Sequence, residues 1–428
     1  MIRYLAIGAV ALAAMLAWAA LVFIGASEGW GRKPITSSAS PEAFMVEAQQ
    51  IVETRSIGNL ALILIEGGRV FDSLYASSGA AVGPDTRFQV ASLSKWISAW
   101  GVMTLVEDGA IDLDAPVSRY LTRWQLPPSQ HGNDGVTVRR LLSHTAGLGD
   151  GLGYSGFDAV EQVQSLEESL TQALDASPGA MGAVRVTSEP GKSWNYSGGG
   201  YTLLQLLIEE ASGLPFEDFM QTRVLVPLGM HSSTFDFDQA QAGDLAANYR
   251  PDGQTEPLKR YTSLAATSLF TTPQDLARFV EAQVPGLAAP RGGVLQPETL
   301  ELMRTPHASE LGADIWGLGV MLYAPHNQGD FIIGHDGSNE PAINTAVRVD
   351  PTTGDGIIVI ETGSPLLATS LAGEWTFWKT GNVDSLAFAM ALDRTLRTAG
   401  SGVLVIGLLA LLAGGHHYRR RRFDRPVR

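Results

Sequence analysis

"VASLSKW", residues 90–96, sets two serines ahead of Lys95, and nowhere else in the chain does a serine stand three residues before a lysine. From Ser92 to Asp108 there is no proline, and apolar residues recur at helical spacing (Trp96, Ile97, Trp100, Met103, Val106) before Gly109. That pattern predicts a helix opening at Ser92. Residues three apart share a helix face, so Ser92 and Lys95 can meet. Ser94 points roughly 100° away from Lys95. A serine in the first helical turn also has an ordinary occupation as an N-cap. On these residues alone the pair reads as a cap or as a nucleophile beside its base.

The chain has 428 residues, 45% of them hydrophobic, enough for a substantial core. Its net charge of −14, with no interior basic patch interleaved with aromatics, argues against nucleic acid as a partner. The absence of cysteine excludes disulfides, cysteine-based zinc sites and thiol catalysis. The sequence carries no metal or nucleotide signature, and no cofactor is expected. Asp112 and Asp114 read as caps or loop-solvating charges, and His416-His417 as interfacial residues.

The two ends address location. Arg3 is followed by an uncharged run from Tyr4 to Ser27, so residues 1–27 read as a membrane anchor or a signal. Its length and poor exit near Gly25-Ala26 favour the anchor. Residues 398–415, "TAGSGVLVIGLLALLAGG", form a second apolar run, and residues 416–428 a basic tail with four consecutive arginines. Two spans are expected, in the plasma membrane, with the intervening region outside the cytoplasm.

Residues 38–380 read as one globular unit. "NLALILIEGGRVFDSLYA" is a hairpin about Gly67-Gly68. The middle is helical in pattern, including "GFDAVEQVQSLEESLTQALDA", "GGYTLLQLLIEEASG" and "TPQDLARFVEAQV". Strand-like runs return after Trp316: "WGLGVMLYA", "DFIIGHD", "INTAVRVD" and "GDGIIVIETG", closed by a helix. The expected fold class is α/β (α+β): one antiparallel sheet flanked by helices and built from both ends of the chain, an all-helical lobe, a cleft between them, and apolar helices at the termini.

Three further motifs follow in order: "LLSHTAGLGD" (141–150), "PGKSWNYSGGGYTLLQLLIEE" (190–210) and "GHDGSN" (334–339). Taken with Ser92-x-x-Lys95, "LVEDGAIDLDAPVSRYL", "TSLFTTPQDLARF" and "WGLG", this series resembles the serine β-lactamase and penicillin-binding-protein superfamily. The nearest branch is that of class C β-lactamases, D-alanyl carboxypeptidases and related esterases. The resemblance covers nearly all of the region between the apolar runs. It implies an acyl-enzyme mechanism with Ser92 as nucleophile and Lys95 and Tyr196 as proton-transfer partners. It further implies a strand wall around His335, Gly337 and Ser338, and an oxyanion hole from the N–H groups of Ser92 and Ser338.

Those residue types suit that chemistry. A serine hydroxyl is a poor nucleophile until a base takes its proton. Lysine serves only if its pKa is lowered, tyrosine only if its phenolate is stabilised, and the sequence leaves that choice open. Two departures bear on substrate. The family often has Asn two residues after the tyrosine, where this chain has Gly198, and Lys at the head of the third motif, where this chain has His335. An esterase, amidase or peptidase acting on a small-molecule or peptide substrate of the cell envelope is expected, with a non-hydrolytic β-lactam- or peptidoglycan-binding sensor as the rival. His144 is expected to pack the loop beneath the site, and His335 to titrate between roughly pH 5.5 and 7.5.

The arginine asymmetry gives a test of topology. Arg3 precedes the first run and Arg419–Arg422 follow the second, against only Arg32 and Lys33 just outside the first. A reporter fused after Arg428 is expected to be active in the cytoplasm, with residues 38–380 open to external protease. Activity of that reporter only outside would leave a single anchor and make the cluster a surface-binding tail.

Overall fold

Gly67 and Gly68 both take positive φ, 57° and 75°, and form the two-residue turn that reverses one strand onto the next. The structure, a computed structural model, describes residues 2–151, 153–284, 293–326, 329–339 and 343–423. Its larger unit, Ile35–Thr380, starts with α1 (Pro41–Arg55) and the hairpin β1 (Leu60–Glu66) and β2 (Arg69–Ala76). The helical lobe follows, with α2 (Ser94–Glu107), α3 (Gly198–Ser212) and α4 (Pro273–Glu281) as its main helices. The chain then returns to the sheet through β3 (Ala308–Glu310), β4 (Ala313–Trp316), β5 (Met321–Pro325) and β6 (Phe331–Asn339). It finishes with β7 (Ile343–Val349), β8 (Gly356–Thr362) and α5 (Leu367–Thr380).

These strands form one antiparallel sheet in the order β2-β1-β8-β7-β6-β5-β4-β3. β8 pairs with β1 as the second and third strands from one edge, so the two ends of the unit meet within one sheet, as the sequence suggested. The alternation of the strands separates two cores. Ala61, Ile63 and Ile65 of β1 join Val347, Val349, Ile358 and Ile360 in the core shared with the helical lobe. Leu60, Leu62, Leu64, Ile357 and Val359 are equally buried outside that core, on the face where α5 packs. Strands covered on both faces explain why these runs are almost uniformly apolar.

Every residue of α2 from Ser94 to Leu105 is buried, as in a helix enclosed on all sides. Trp96 and Trp100 both lean on Phe279 of α4, with ring centroids 4.9 and 5.2 Å away. Two expectations are corrected here. α2 begins at Ser94, preceded by a 3₁₀ turn over Ala91–Leu93. The long helix read in residues 156–176 shrinks to Leu166–Gln172, because Ser165 closes a capping box with Glu168 that fixes a late start.

Behind β6 lies a buried polar clamp. Asp336 faces α5 and accepts hydrogen bonds from Arg348 on β7 (2.5 Å), Tyr323 on β5 (2.7 Å) and Thr369 on α5 (2.6 Å). The Arg348 guanidinium stacks 3.3 Å from the centre of the Tyr323 ring.

The second unit comprises Met1–Pro34 and Gly381–Arg428. Its helices Ile2–Ser27 and Ser385–Phe423 are each long and apolar enough to cross a membrane, by length and composition. They pack closely, and a Cβ on Gly402 would stand 1.9 Å from the Trp18 indole nitrogen. The second helix starts at Ser385, well ahead of Thr398, and residues 424–428 of the basic tail lie outside the described residues.

The clamp yields a prediction. Arg348→Met leaves the Asp336 carboxylate buried without its cation and is expected to lower unfolding free energy by about 3–5 kcal/mol. Adding Asp336→Asn should restore part of that loss. Additive losses in the double variant, measured by denaturant unfolding, would show that the two side chains do not act as a pair.

Candidate active site

The 3₁₀ turn decides which serine is available. Ala91 has φ +47°, a left-handed conformation that costs a non-glycine residue about 1–2 kcal/mol. Several bonds hold it there. Ser94 Oγ donates to Ala91 O (2.6 Å) and accepts from Leu269 N–H (2.9 Å), while Thr345 Oγ1 on β7 donates to Val90 O (3.0 Å). Ser94 is therefore fully occupied in bracing the turn. Ser92 caps nothing, since the residue preceding α2 is Leu93 and no side chain caps that helix. The capping alternative falls away.

Ser92 Oγ instead lies 3.1 Å from Lys95 Nζ. Lys95 is buried, donates to Ala266 O (2.8 Å) and makes no ion pair among the described residues. Burial pulls its pKa down to about 7, the more distant Asp150 carboxylate opposing only in part. The ammonium site stands 5.0 Å from the Tyr196 ring centre and 5.6 Å from that of Tyr201. Tyr196 sits just before Ser197, which caps α3 through Gly200 N–H. Burial pushes the Tyr196 phenol well up, its hydrogen bond with Ser92 opposing. The expected trio of Ser92, Lys95 and Tyr196 is thus brought together.

His144 packs against the Tyr196 ring at 4.4 Å between centroids, and its Nδ1 accepts from Ser197 N–H at 3.1 Å. It underpins the tyrosine from behind, with burial holding its pKa well below the usual histidine range.

β6 forms the opposite wall. A Cβ on Gly337 would stand 2.1 Å from Val90 O and 3.1 Å from Leu93 N, so only glycine lets this strand lie against the turn that carries Ser92. Ser338 follows with its side chain exposed. His335 shares the face of Gly337, edge-on to Trp316 with ring centroids 5.4 Å apart. The expectation that His335 titrates near neutral pH is corrected. The side chain is 1% exposed, and burial, assisted by Lys95, pulls its pKa down to about 3. Its Nδ1 lies 2.6 Å from Asp336 O, which can only accept, so Nδ1 carries the proton and Nε2 presents a lone pair. Where the family often places a permanent cation, this chain places a neutral acceptor.

Sequence reasoning missed Asp150. Its buried carboxylate accepts from Gly199 N–H (2.7 Å) and from Ser197 Oγ, fastening the loop of His144 to the start of α3. Asp150 ends the "SHTAGLGD" motif, but no spacing rule pairs it with Ser197. Trp316, read only as part of a strand, proves to be the ring on which His144, Trp194, Tyr196 and His335 converge.

A helical lobe on an antiparallel sheet, with a serine-lysine pair and a tyrosine at their junction, defines the β-lactamase class of fold. The chain belongs to the β-lactamase family, whose model matches residues 47–372. A penicillin-binding protein from Bacillus subtilis is 35% identical over 146 residues, 34% of this chain and 30% of its own length. Esterase EstB from Burkholderia gladioli is 28% identical over 242 residues, covering 52% of this chain and 60% of the esterase. The chain thus spans less than two thirds of either relative. The D-alanyl-D-alanine-carboxypeptidase/endopeptidase AmpH from Escherichia coli K12 is 26% identical over 323 residues, 72% of this chain and 80% of that protein. Among solved structures, an octameric penicillin-binding protein homologue from Pyrococcus abyssi aligns with a TM-score of 0.65 and 25% identity, over 80% of this chain and 77% of that one.

The two serines are separable experimentally. A fluorophosphonate is expected to label Ser92, and Ser92→Ala to abolish labelling. Ser94→Ala should keep the label but lose about 1–3 kcal/mol of stability, because Leu269 N–H is left buried and unpaired. Peptide mapping that puts the adduct on Ser94 would overturn the assignment.

Proposed function

We propose that this chain is a membrane-anchored serine hydrolase that acylates Ser92 with an ester, amide or peptide, its catalytic unit on the outer side of the plasma membrane. The observation that carries this reading is the buried Lys95 amine, without a counter-charge, 3.1 Å from Ser92 Oγ. The anchoring part rests on the two apolar terminal helices.

In this reading Lys95 is the base. It is half-deprotonated near pH 7, whereas the phenol of Tyr196 holds its proton. Neutral Lys95 takes the Ser92 proton as Oγ bonds to the substrate carbonyl carbon. The oxyanion is met by the N–H groups of Ser92 and Ser338, each such donor contributing about 3–4 kcal/mol in comparable sites. Tyr196 passes the proton from Lys95 to the leaving oxygen or nitrogen as its bond to carbon breaks, leaving the acyl ester on Ser92. Water then attacks that ester, giving its proton to Lys95, and the acid departs as Ser92 is reprotonated. The neutral His335 and the missing side chain at Gly198 support esters and amides over substrates held by a free carboxylate. The names of relatives point the same way in part, since they include an esterase beside penicillin-binding proteins and a carboxypeptidase/endopeptidase.

The pH profile tests the base. With Lys95 at about 7, kcat/KM for a neutral ester such as p-nitrophenyl acetate should rise about tenfold per pH unit below 7 and level off above it. The active form is the deprotonated one, so the profile rises with pH. A flat profile from pH 5.5 to 8.5, or retained activity in Lys95→Met, would remove Lys95 from that role. Stoichiometric acylation of Ser92 without product release would favour the non-hydrolytic sensor.

A further inference from the structure

Asp175 is 5% exposed, and neither of its carboxylate oxygens has a hydrogen-bond partner. It also makes no ion pair among the described residues. Burial pushes its pKa up to about 6, with the backbone N–H groups of Asp175 and Gly156 opposing only in part, so it is ionised at pH 7.5. A desolvated carboxylate with nothing to bind costs several kcal/mol relative to one in water. Other buried acids in this unit are occupied: Asp150 with Ser197 and Gly199, Asp275 with Ser232, Ser233 and Arg278, and Asp336 with its clamp.

Its surroundings place Asp175 at the cleft. Ser155 N–H donates to Asp175 O at 2.6 Å, and Tyr154 bridges to Ala176, so the segments around 154 and 175 run side by side. On one flank the Tyr154 ring edge would be 2.9 Å from a Cβ on Gly198, two residues after Tyr196. Tyr154 is anchored there by its hydroxyl, 2.8 Å from Thr202 Oγ1. On the other flank Tyr261 lies 2.7 Å from where a Cβ on Gly156 would stand, and its hydroxyl accepts from Asn339. Asn339 is two residues past Gly337, on the same face of β6. The Asp175 segment is therefore bracketed by two tyrosines, one against each wall of the site. The negative charge of Asp175 is felt at both phenols.

The geometry points to Asp175 as the anionic subsite of the Ser92 cleft, recognising an ammonium group on the ester or amide substrate. The class of substrate is then an amino-acyl ester or amide, whose cation meets a buried carboxylate that has no side-chain partner among the described residues. His335 agrees with this, because a neutral acceptor in place of a cation does not repel an ammonium. This inference rests on the reading of Ser92 as the acylated residue and narrows its substrate.

The test uses the full chain and two probes differing only in the ammonium, alanine p-nitroanilide (D and L) and propionyl p-nitroanilide. The wild type is expected to favour one alanine form over the propionyl compound by tenfold or more in kcat/KM. Asp175→Asn should lower that ratio about 10–100-fold, the range for a charge-assisted hydrogen bond, mainly through KM. Equal losses on both probes, or no preference in the wild type, would overturn the proposal. Should Asp175→Asn not fold, protection of wild-type Ser92 from a fluorophosphonate supplies the answer. Alaninamide should protect at tenfold lower concentration than propionamide, and equal protection would overturn the proposal. Labelling without competitor reports the Ser92 reading separately, so the two failures are distinguishable.

Discussion

The site depends on one amine buried without a counter-charge. A carboxylate within ion-pair distance of Lys95 would hold its proton and leave Ser92 beside a permanent ammonium. The molecule avoids this by spending Asp150 on Ser197 and Gly199, and by surrounding the amine with groups that are neutral at pH 7. Tyr196 keeps its proton, and the imidazoles of His144 and His335 have lost theirs. The arrangement costs stability. Lys95 binds its proton more weakly folded, at about 7, than unfolded, near 10.5. The unfolded chain therefore holds more protons across that window, so this contribution to stability rises with pH between the two values.

Keeping the amine dry and Ser92 within its reach is a matter of backbone. The strained Ala91 turn is fixed by contacts from segments far apart in the chain: Leu269 through Ser94, Thr345 through Val90, and Gly337 by direct backbone approach. The rear of β6 is held by the Asp336 clamp, which ties together β5, β7 and α5. Sheet and helical lobe are thus joined at the turn that carries Ser92, and the clamp strands reach that turn through Gly337 and Thr345.

Much of this was legible in the sequence where spacing carries geometry. A serine three residues before a lysine meets it on a 3₁₀ turn leading into a helix nearly as on a helix, so the pair was readable although the helix start was misplaced. The hairpin at Gly67-Gly68 and the late strands announced a sheet closed from both ends. What escaped depends on tertiary contact. Nothing in "VASLSKW" signals a positive φ at Ala91, since the Ser94 bond that holds it is itself set by the distant Leu269, and Val90 is fixed by the distant Thr345. His335 looked like a titrating group because a strand-edge histidine has no visible burial; the Trp316 ring that covers it lies nineteen residues earlier, in another strand. Asp150 and Asp175 belong to no spacing rule, and their meaning comes from which donors reach them.

The electrostatics of Lys95 and of recognition are coupled through position 335. A lysine there would add a fixed positive charge near Lys95, lowering the pKa of the base further and attracting substrate carboxylates. With a neutral histidine, burial alone must bring Lys95 to about 7, which explains why the amine is so completely enclosed by Tyr196, Tyr201 and the Ala266 carbonyl. With no fixed charge at position 335, lowering the pKa of Lys95 falls to packing, and the wall beside Ser92 presents a neutral acceptor where a lysine would present a cation.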